Sequence, residues 1–263
     1  MGEVGLGINA IPFLIVIGLF LGMMLALMVG RYLGRRHPPD EMASARTRLT
    51  AVEAAIFGLL GLLVAFTFSG ASSRYDLRRQ MTVDESNAIG TAYLRLDLLP
   101  AQAQPALREK FRRYLEARIA AYRLLPDIEA SYKQVAVATS LQPEIWADAI
   151  AALRESPPQA TVVMIPALNQ MFNLATSKAI LSLSHIPLPI LIMLVVLGVA
   201  CALLAGYVMA GISTRFMRVH MITFALITTI TVYVILDLDY PRFGLIQLDF
   251  VDKAMLDLLA RMK

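Results

Sequence analysis

Four stretches of this 263-residue chain are long and apolar enough to cross a bilayer, and no other feature limits the fold as strongly. A hydrocarbon core about 30 Å thick takes about 20 apolar residues in a helix. Ile11–Leu33 carries no charge before Arg31, and Thr50–Gly70 carries only Glu53. Pro187–Gly211 and Met217–Leu236 complete the set. Composition agrees, because 57% of residues are hydrophobic and only 17% charged, against about 25% charged in soluble domains. The expected fold class is all-α: four transmembrane helices, two plus two, with a helical extramembrane domain between spans two and three. The expected partition is 1–70 for the first pair with its basic loop, 71–186 for the extramembrane domain, 187–240 for the second pair, and 241–263 for a C-terminal tail.

The spans carry a second pattern. Gly18, Gly22, Ala26 and Gly30 recur every four residues in the first, and Gly198, Ala202, Gly206 and Ala210 do so in the third. Ala54, Gly58, Gly61, Ala65 and Ser69 form a similar seam in the second. Small residues on one face let helix backbones approach closely in lipid. The seams therefore predict a tight bundle, with a seam along a pore as the alternative. The fourth span is rich in hydroxyls (Thr223, Thr228, Thr229, Thr231, Tyr233), which either bond to the helix backbone or line a wet path.

The first span has no Lys or Arg before it and is too long for a signal-peptide core of about 7–15 residues. It is expected to remain as an anchor. Leu6 stands where a myristoylation signal wants Ser or Thr, so no lipid anchor is expected. Basic residues favour the cytoplasmic side of spans. Arg31, Arg35, Arg36, Arg46, Arg48, Arg215 and Arg218 make seven on the loop side. Arg242, Lys253, Arg74, Arg78 and Arg79 make five on the other. This leans toward residues 71–186 lying on the non-cytoplasmic side. An Arg to Lys ratio of 19 to 5 suits a GC-rich bacterial source, hence a multi-pass protein of the inner membrane.

The second span runs on without proline to Leu99, so one helix of about 50 residues is expected from Thr50. Its outer part bears an apolar stripe of Leu77, Met81, Ile89, Ala92, Leu96 and Leu99, with Glu85 inside it. A carboxylate there needs a partner. The expectation is an ion pair with an Arg of a neighbouring helix, or a gating role. Glu85, Asn87 and Arg95 are taken as a polar core. Further helices are expected at 104–125, 127–139, 142–154 and 165–184, with Thr161–Ile165 the only β-like stretch.

Catalytic signals are missing. There is no HExxH, GxSxG, P-loop or GxGxxG, so no enzyme is expected and no catalytic residue is assigned. His37, His185 and His220 sit beside spans without metal spacing. The lone Cys201 excludes an internal disulfide and reads as a small buried hydrophobe. Basic residues are not gathered on one face, so nucleic acid is not an expected partner. Asp237 and Asp239 end the fourth span, with Asp249 and Asp252 beyond. Acids at a membrane border pair with cations; here Arg242 or Arg74, Arg78 and Arg79 are candidates, and Ca²⁺ is the other. No cofactor is otherwise expected, and no metal site is assigned.

Several segments resemble a family of bacterial bestrophin-like membrane proteins. They are Phe66-Thr67-Phe68-Ser69, Ser73-Arg74-Tyr75-Asp76, the run from Asp84 to Arg95, Asp97-Leu98-Leu99-Pro100, and Leu236-Asp237-Leu238-Asp239 with Pro241 and Gly244-Leu245-Ile246. The resemblance covers about residues 45–250. Bestrophins proper are pentameric anion channels with four membrane helices and a cytosolic helical domain between spans two and three. The resemblance thus implies an oligomeric channel, small inorganic ions as cargo, and the bilayer and further copies of the chain as partners. It also implies a neck of bulky apolar side chains on span two, with Leu59, Leu62 and Phe66 the nearest match. Arg74, Arg78 and Arg79 would then ring the pore mouth and favour anions. Pro241-Arg242-Phe243-Gly244 is similar to the bestrophin Pro-Phe-Gly segment, part of a Ca²⁺-binding region in animal members, but an Arg interrupts it here. The alternative function is a non-conducting scaffold or signal sensor.

Overall fold

The structure is a computed structural model of the chain. It describes residues 3–36, 39–125, 127–211, 214–240, 245–246 and 249–262, with side chains at 13–36, 51–125, 127–210, 218–240, 245–246 and 253–262. Among the described residues every regular element is helical: α1 (Glu3–Gly34), α2 (Pro39–Leu94), α3 (Gln104–Arg123), α4 (Ile128–Leu153), α5 (Pro158–Ser182), α6 (Leu188–Val208), α7 (Thr214–Asp239) and α8 (Asp249–Arg261). Short 3₁₀ turns occupy Arg95–Leu98 and Met209–Gly211. Four helices, α1, α2, α6 and α7, are long and apolar enough to span a membrane.

The chain forms two compact units. One holds 6–74 and 185–240; the other holds 1–5, 75–184 and 241–263. In the first unit, α1 and α6 cross at glycine. A Cβ on Gly30 would lie 2.0 Å from the Leu203 carbonyl oxygen, and one on Gly206 would lie 2.1 Å from that of Leu27. Only hydrogen at both positions permits this backbone approach. Two of the small-residue seams thus meet at their last turns. Gly18 and Gly22 have nothing within 4 Å, so the first turns of the α1 seam serve no such contact. On α7, the Thr231 hydroxyl donates to the Ile227 carbonyl at 2.8 Å, as a helix-satisfied hydroxyl should. Cys201 is buried on α6, with its thiol 3.9 Å from the Ile56 carbonyl.

In the second unit, α3 packs along α4 and against α8. Phe111, Tyr114 and Leu115 of α3, Leu141 and Ile145 of α4, and Met164 and Leu168 of α5 fill its core. Of the stripe expected on outer α2, Ile89, Ala92, Leu96 and Leu99 are buried, whereas Leu77 is exposed. Three local expectations are corrected. Residues 127–139 and 142–154 form the single helix α4, continuous through Pro143. Ala138, Leu141, Ile145 and Ala149 share one buried face across the proline, and that burial outweighs one lost backbone hydrogen bond. Thr161–Ile165 is helical, because α5 begins at Pro158, a favoured first-turn residue. α2 starts at Pro39, ahead of Thr50, and gives way at Leu94 to the 3₁₀ turn. Within the stretch expected as a tail, α8 buries Met255 and sets Leu258 against Gly90, and Met262 just after it is buried as well.

Candidate functional site

The second helix presents two opposed faces within the first unit. Phe57 stacks edge-on against Phe224 of α7 at 5.7 Å between ring centroids, and Leu60 and Thr67 are buried on the same stripe. Leu59, Leu62 and Phe66 point the other way and stay 55%, 52% and 68% exposed. These three recur at i, i+3 and i+7, one side of an α-helix. Gly58 and Gly61 lie beside them, with nothing within 4 Å of a built Cβ. The spanning part of α2 is only 11% buried, the least of the four candidate spans. The chain's own helices therefore leave uncovered an apolar face and a small-residue seam.

The acids that close α7 are buried: Asp237 and Asp239. Arg74 Nε donates to Asp239 Oδ1 at 2.8 Å. The Ile186 amide donates to Oδ2 at 2.9 Å, and His185 Nδ1 lies 3.5 Å from the same oxygen. His185 stacks on Tyr240 with centroids 4.3 Å apart. Of the two partners open to these acids, an Arg occupies Asp239. Both of its oxygens are engaged, and no group of three His, Cys, Asp or Glu converges among the described residues. At Asp239 the contacts are thus those of an ion pair and a backbone hydrogen bond. Pro241, Arg242, Phe243, Gly244 and the side chains of Asp249 and Asp252 lie outside the described residues, as do His37 and the side chains of Arg46, Arg48 and Arg215.

The three arginines expected as a pore-mouth ring are not equivalent. Arg74 is paired with Asp239, and Arg78 is buried and donates to the Ser184 carbonyl at 2.6 Å. Only Arg79 is exposed. Helical geometry explains this: residues four apart share a face, so Arg74 and Arg78 turn one way while Arg79 lies about 100° further round.

In the other unit, Glu85 is wholly buried. It lies about 22 Å along α2 from Gly70, beyond the hydrocarbon reach of the span. Arg118 Nε of α3 donates to Oε1 at 2.6 Å. Lys178 Nζ of α5 and the Tyr122 hydroxyl donate to Oε2 at 3.1 and 3.2 Å. Arg118 Nη2 also donates to the Tyr122 hydroxyl at 2.6 Å. Burial alone would raise the Glu85 carboxyl pKa, but Lys178 and Arg118 outweigh it and hold it below the ordinary value. Burial and the Glu85 charge push the Tyr122 phenol well up. Burial also raises neighbouring Tyr114, to about 12. The carboxylate stays charged and clamps three helices.

The expected polar core is corrected in part. Asn87 is exposed, and Arg95 is half-buried and donates to the Val163 carbonyl. Neither meets Glu85, since two residues along a helix turn a side chain by about 200° and ten by about 280°. Nothing local in the sequence marks Lys178 as a partner of Glu85. Arg118 and Tyr122 stand four apart on α3, a spacing that offers both to one acceptor.

The bestrophin-like domain profile matches residues 18–249. The chain belongs to the bestrophin-like family. Solved structures of a bacterial bestrophin homologue from Klebsiella pneumoniae share its fold. A single-substitution variant superposes with a TM-score of 0.67 at 14% identity, covering 93% of this chain and 99% of that one. A structure phased on zinc gives 0.66 at 13% identity, covering 93% and 98%. A second variant gives 0.63 at 12%, covering 94% and 98%. A search of curated proteins finds no match. Four spans and this kinship make the bestrophin-like chain a multi-pass membrane protein.

Proposed function

We propose that this bestrophin-like chain is the subunit of an oligomeric, anion-conducting channel whose pore is lined by α2. The observation that carries the reading is the uncovered α2 face with Leu59, Leu62 and Phe66. Copies related by a closed rotation bring one such face to the axis, and the open Gly58–Gly61 seam suits close helix contact in lipid. Repeated around an axis, the three side chains form stacked apolar rings. Rings of this kind gate by dewetting. Kinship with bestrophins supports anion selection and a pentamer. Arg74 and Arg78 reach Asp239 and Ser184, and Arg79, the exposed one of the three, is best placed to face a pore mouth.

Chloride flux into liposomes tests this. Phe66→Ser wets and widens the neck and is expected to raise flux several-fold; Phe66→Trp is expected to lower it. Absence of chloride, bromide and sodium flux from a stable oligomer, in the parent and in Phe66→Ser alike, would sink the channel and favour the scaffold or sensor.

The charge count leans toward the non-cytoplasmic side for residues 71–186, whereas the resemblance to bestrophins favours the cytosol. The count differs by two arginines or lysines in twelve, whereas the family match runs from 18 to 249. We therefore place the domain in the cytosol of a bacterium, at the inner membrane. Glu155 is exposed on that domain and Cys201 is the sole, buried cysteine. In a Cys201→Ala background, Glu155→Cys is expected to resist an impermeant maleimide in intact spheroplasts and to label after lysis. Labelling of intact spheroplasts would reverse the topology.

A further inference from the structure

A cavity of about 320 Å³ opens between α1 and α7. It lies within one unit of the fold and belongs to neither the α2 face nor the Asp239 cluster. Arg31 and Arg35 of α1 and Arg218 of α7 line one end. Met24 and Met28 of α1 and Met221 of α7 line the other. The order along the helices is informative. Residues 24, 28, 31 and 35 share one face of α1, with the methionines on the span side and the arginines toward the loop. On α7 the order is the reverse, Arg218 before Met221, because that helix runs the other way from the loop. Both helices thus grade from cationic to apolar in the direction that leads into the bilayer.

Arg31 carries the decisive observation at the cationic end. Arg31 Nε and Nη2 are buried and have no hydrogen-bond partner. The nearest charges acting on Arg31 are Arg35 and Arg218, both repulsive. A guanidinium with two shielded, unpaired nitrogens that faces two like charges is poorly placed unless something negative lies between them. Guanidinium forks match phosphate oxygens in geometry. Basic pockets between membrane helices are a known way to hold anionic headgroups.

We propose that this cavity is a binding site for an anionic phospholipid, its phosphate held by Arg31, Arg35 and Arg218 and the start of an acyl chain by the methionines. The methionine end distinguishes a lipid from a free anion, which would leave those thioethers uncovered. Met is a flexible, polarisable lining suited to a mobile chain. The proposal does not depend on conduction, only on residence in a membrane.

The test is native mass spectrometry of the purified full chain in mixed micelles containing equal phosphatidylglycerol and phosphatidylcholine. The expected result is at least tenfold preference for phosphatidylglycerol, lost in Arg31→Gln and in Arg35→Gln with the oligomer peak unchanged. Arg35 is exposed, so its variant tests the site even where Arg31→Gln misfolds. Equal retention of both lipids by the parent would overturn the site. So would displacement of phosphatidylglycerol by inorganic phosphate at the same concentration, which identifies a free-anion pocket. Loss of the oligomer in both variants, with lipid binding unaltered, would assign the pocket to a carboxylate of a second copy.

Discussion

Gly206→Leu is expected to destabilise the membrane unit by about 3 kcal/mol or more, the upper end of the range for overpacked cores. The reason is the identity of the obstructing atoms. The new Cβ would start 2.1 Å from the Leu27 carbonyl oxygen and 2.9 Å from the Leu27 Cα. A flexible side chain could swing aside, but a helix backbone cannot. α1 and α6 must separate, and every contact packed around the crossing loosens with them. Gly30→Leu meets Leu203 in the same way, at 2.0 Å. Gly22→Leu is the control, because nothing lies within 4 Å there. Thermal unfolding in detergent, followed by loss of the main size-exclusion peak, measures all three. A Gly206→Leu protein that melts with the Gly22→Leu protein would show that the crossing is looser than the backbone distances require.

Glu85→Ala is expected to cost about 3–5 kcal/mol, the range for removing one partner of a buried ion pair. It removes the carboxylate that lies between the buried Arg118 and the half-buried Lys178. The loss falls on the unit of α3, α4, α5 and α8 rather than on the spans. The only tryptophan, Trp146, packs against that unit's core and reports its unfolding by fluorescence. The network also sets an acid sensitivity. The folded Glu85 pKa is below its ordinary value of 4.5. Its contribution is therefore complete above that value and is lost as pH falls from there through the folded pKa. The parent is expected to lose stability in that acid window by more than Glu85→Gln, which cannot titrate. Superimposable pH profiles would show that the carboxylate contributes no linkage.

Some of this architecture was legible because lipid imposes a simple rule. A run of about 20 apolar residues has no alternative solvent, so four apolar helices could be read, three with ends within a few residues of Phe13–Gly34, Leu188–Val208 and Arg218–Asp239, while the second continues to Leu98, past the Gly70 expected. Glu85 was legible for the converse reason, since a carboxylate inside an apolar helical stripe demands a cation. Which cation was not legible. Arg118 and Lys178 lie 33 and 93 residues away, and nothing local distinguishes them from other bases on those helices. Arg74, Arg78 and Arg79 differ in surroundings because of phase. Sequence shows three basic residues close together, while a helix turns 100° per residue and sends them to different neighbours. The joining of 127–154 into one helix was hidden because Pro143 is a local signal and the buried face that overrides it is tertiary.

By itself, the amino-acid order determined that this protein is helical, crosses the membrane four times and carries close-packing seams, because hydropathy and residue size act position by position along the chain. Only tertiary structure decided which seams are used within the subunit. Gly30 meets Gly206's helix, whereas Gly58 and Gly61 meet nothing. The cause is physical: a seam on one helix states that a close neighbour is permitted, and the neighbour's identity is set by how all the spans fit together at once.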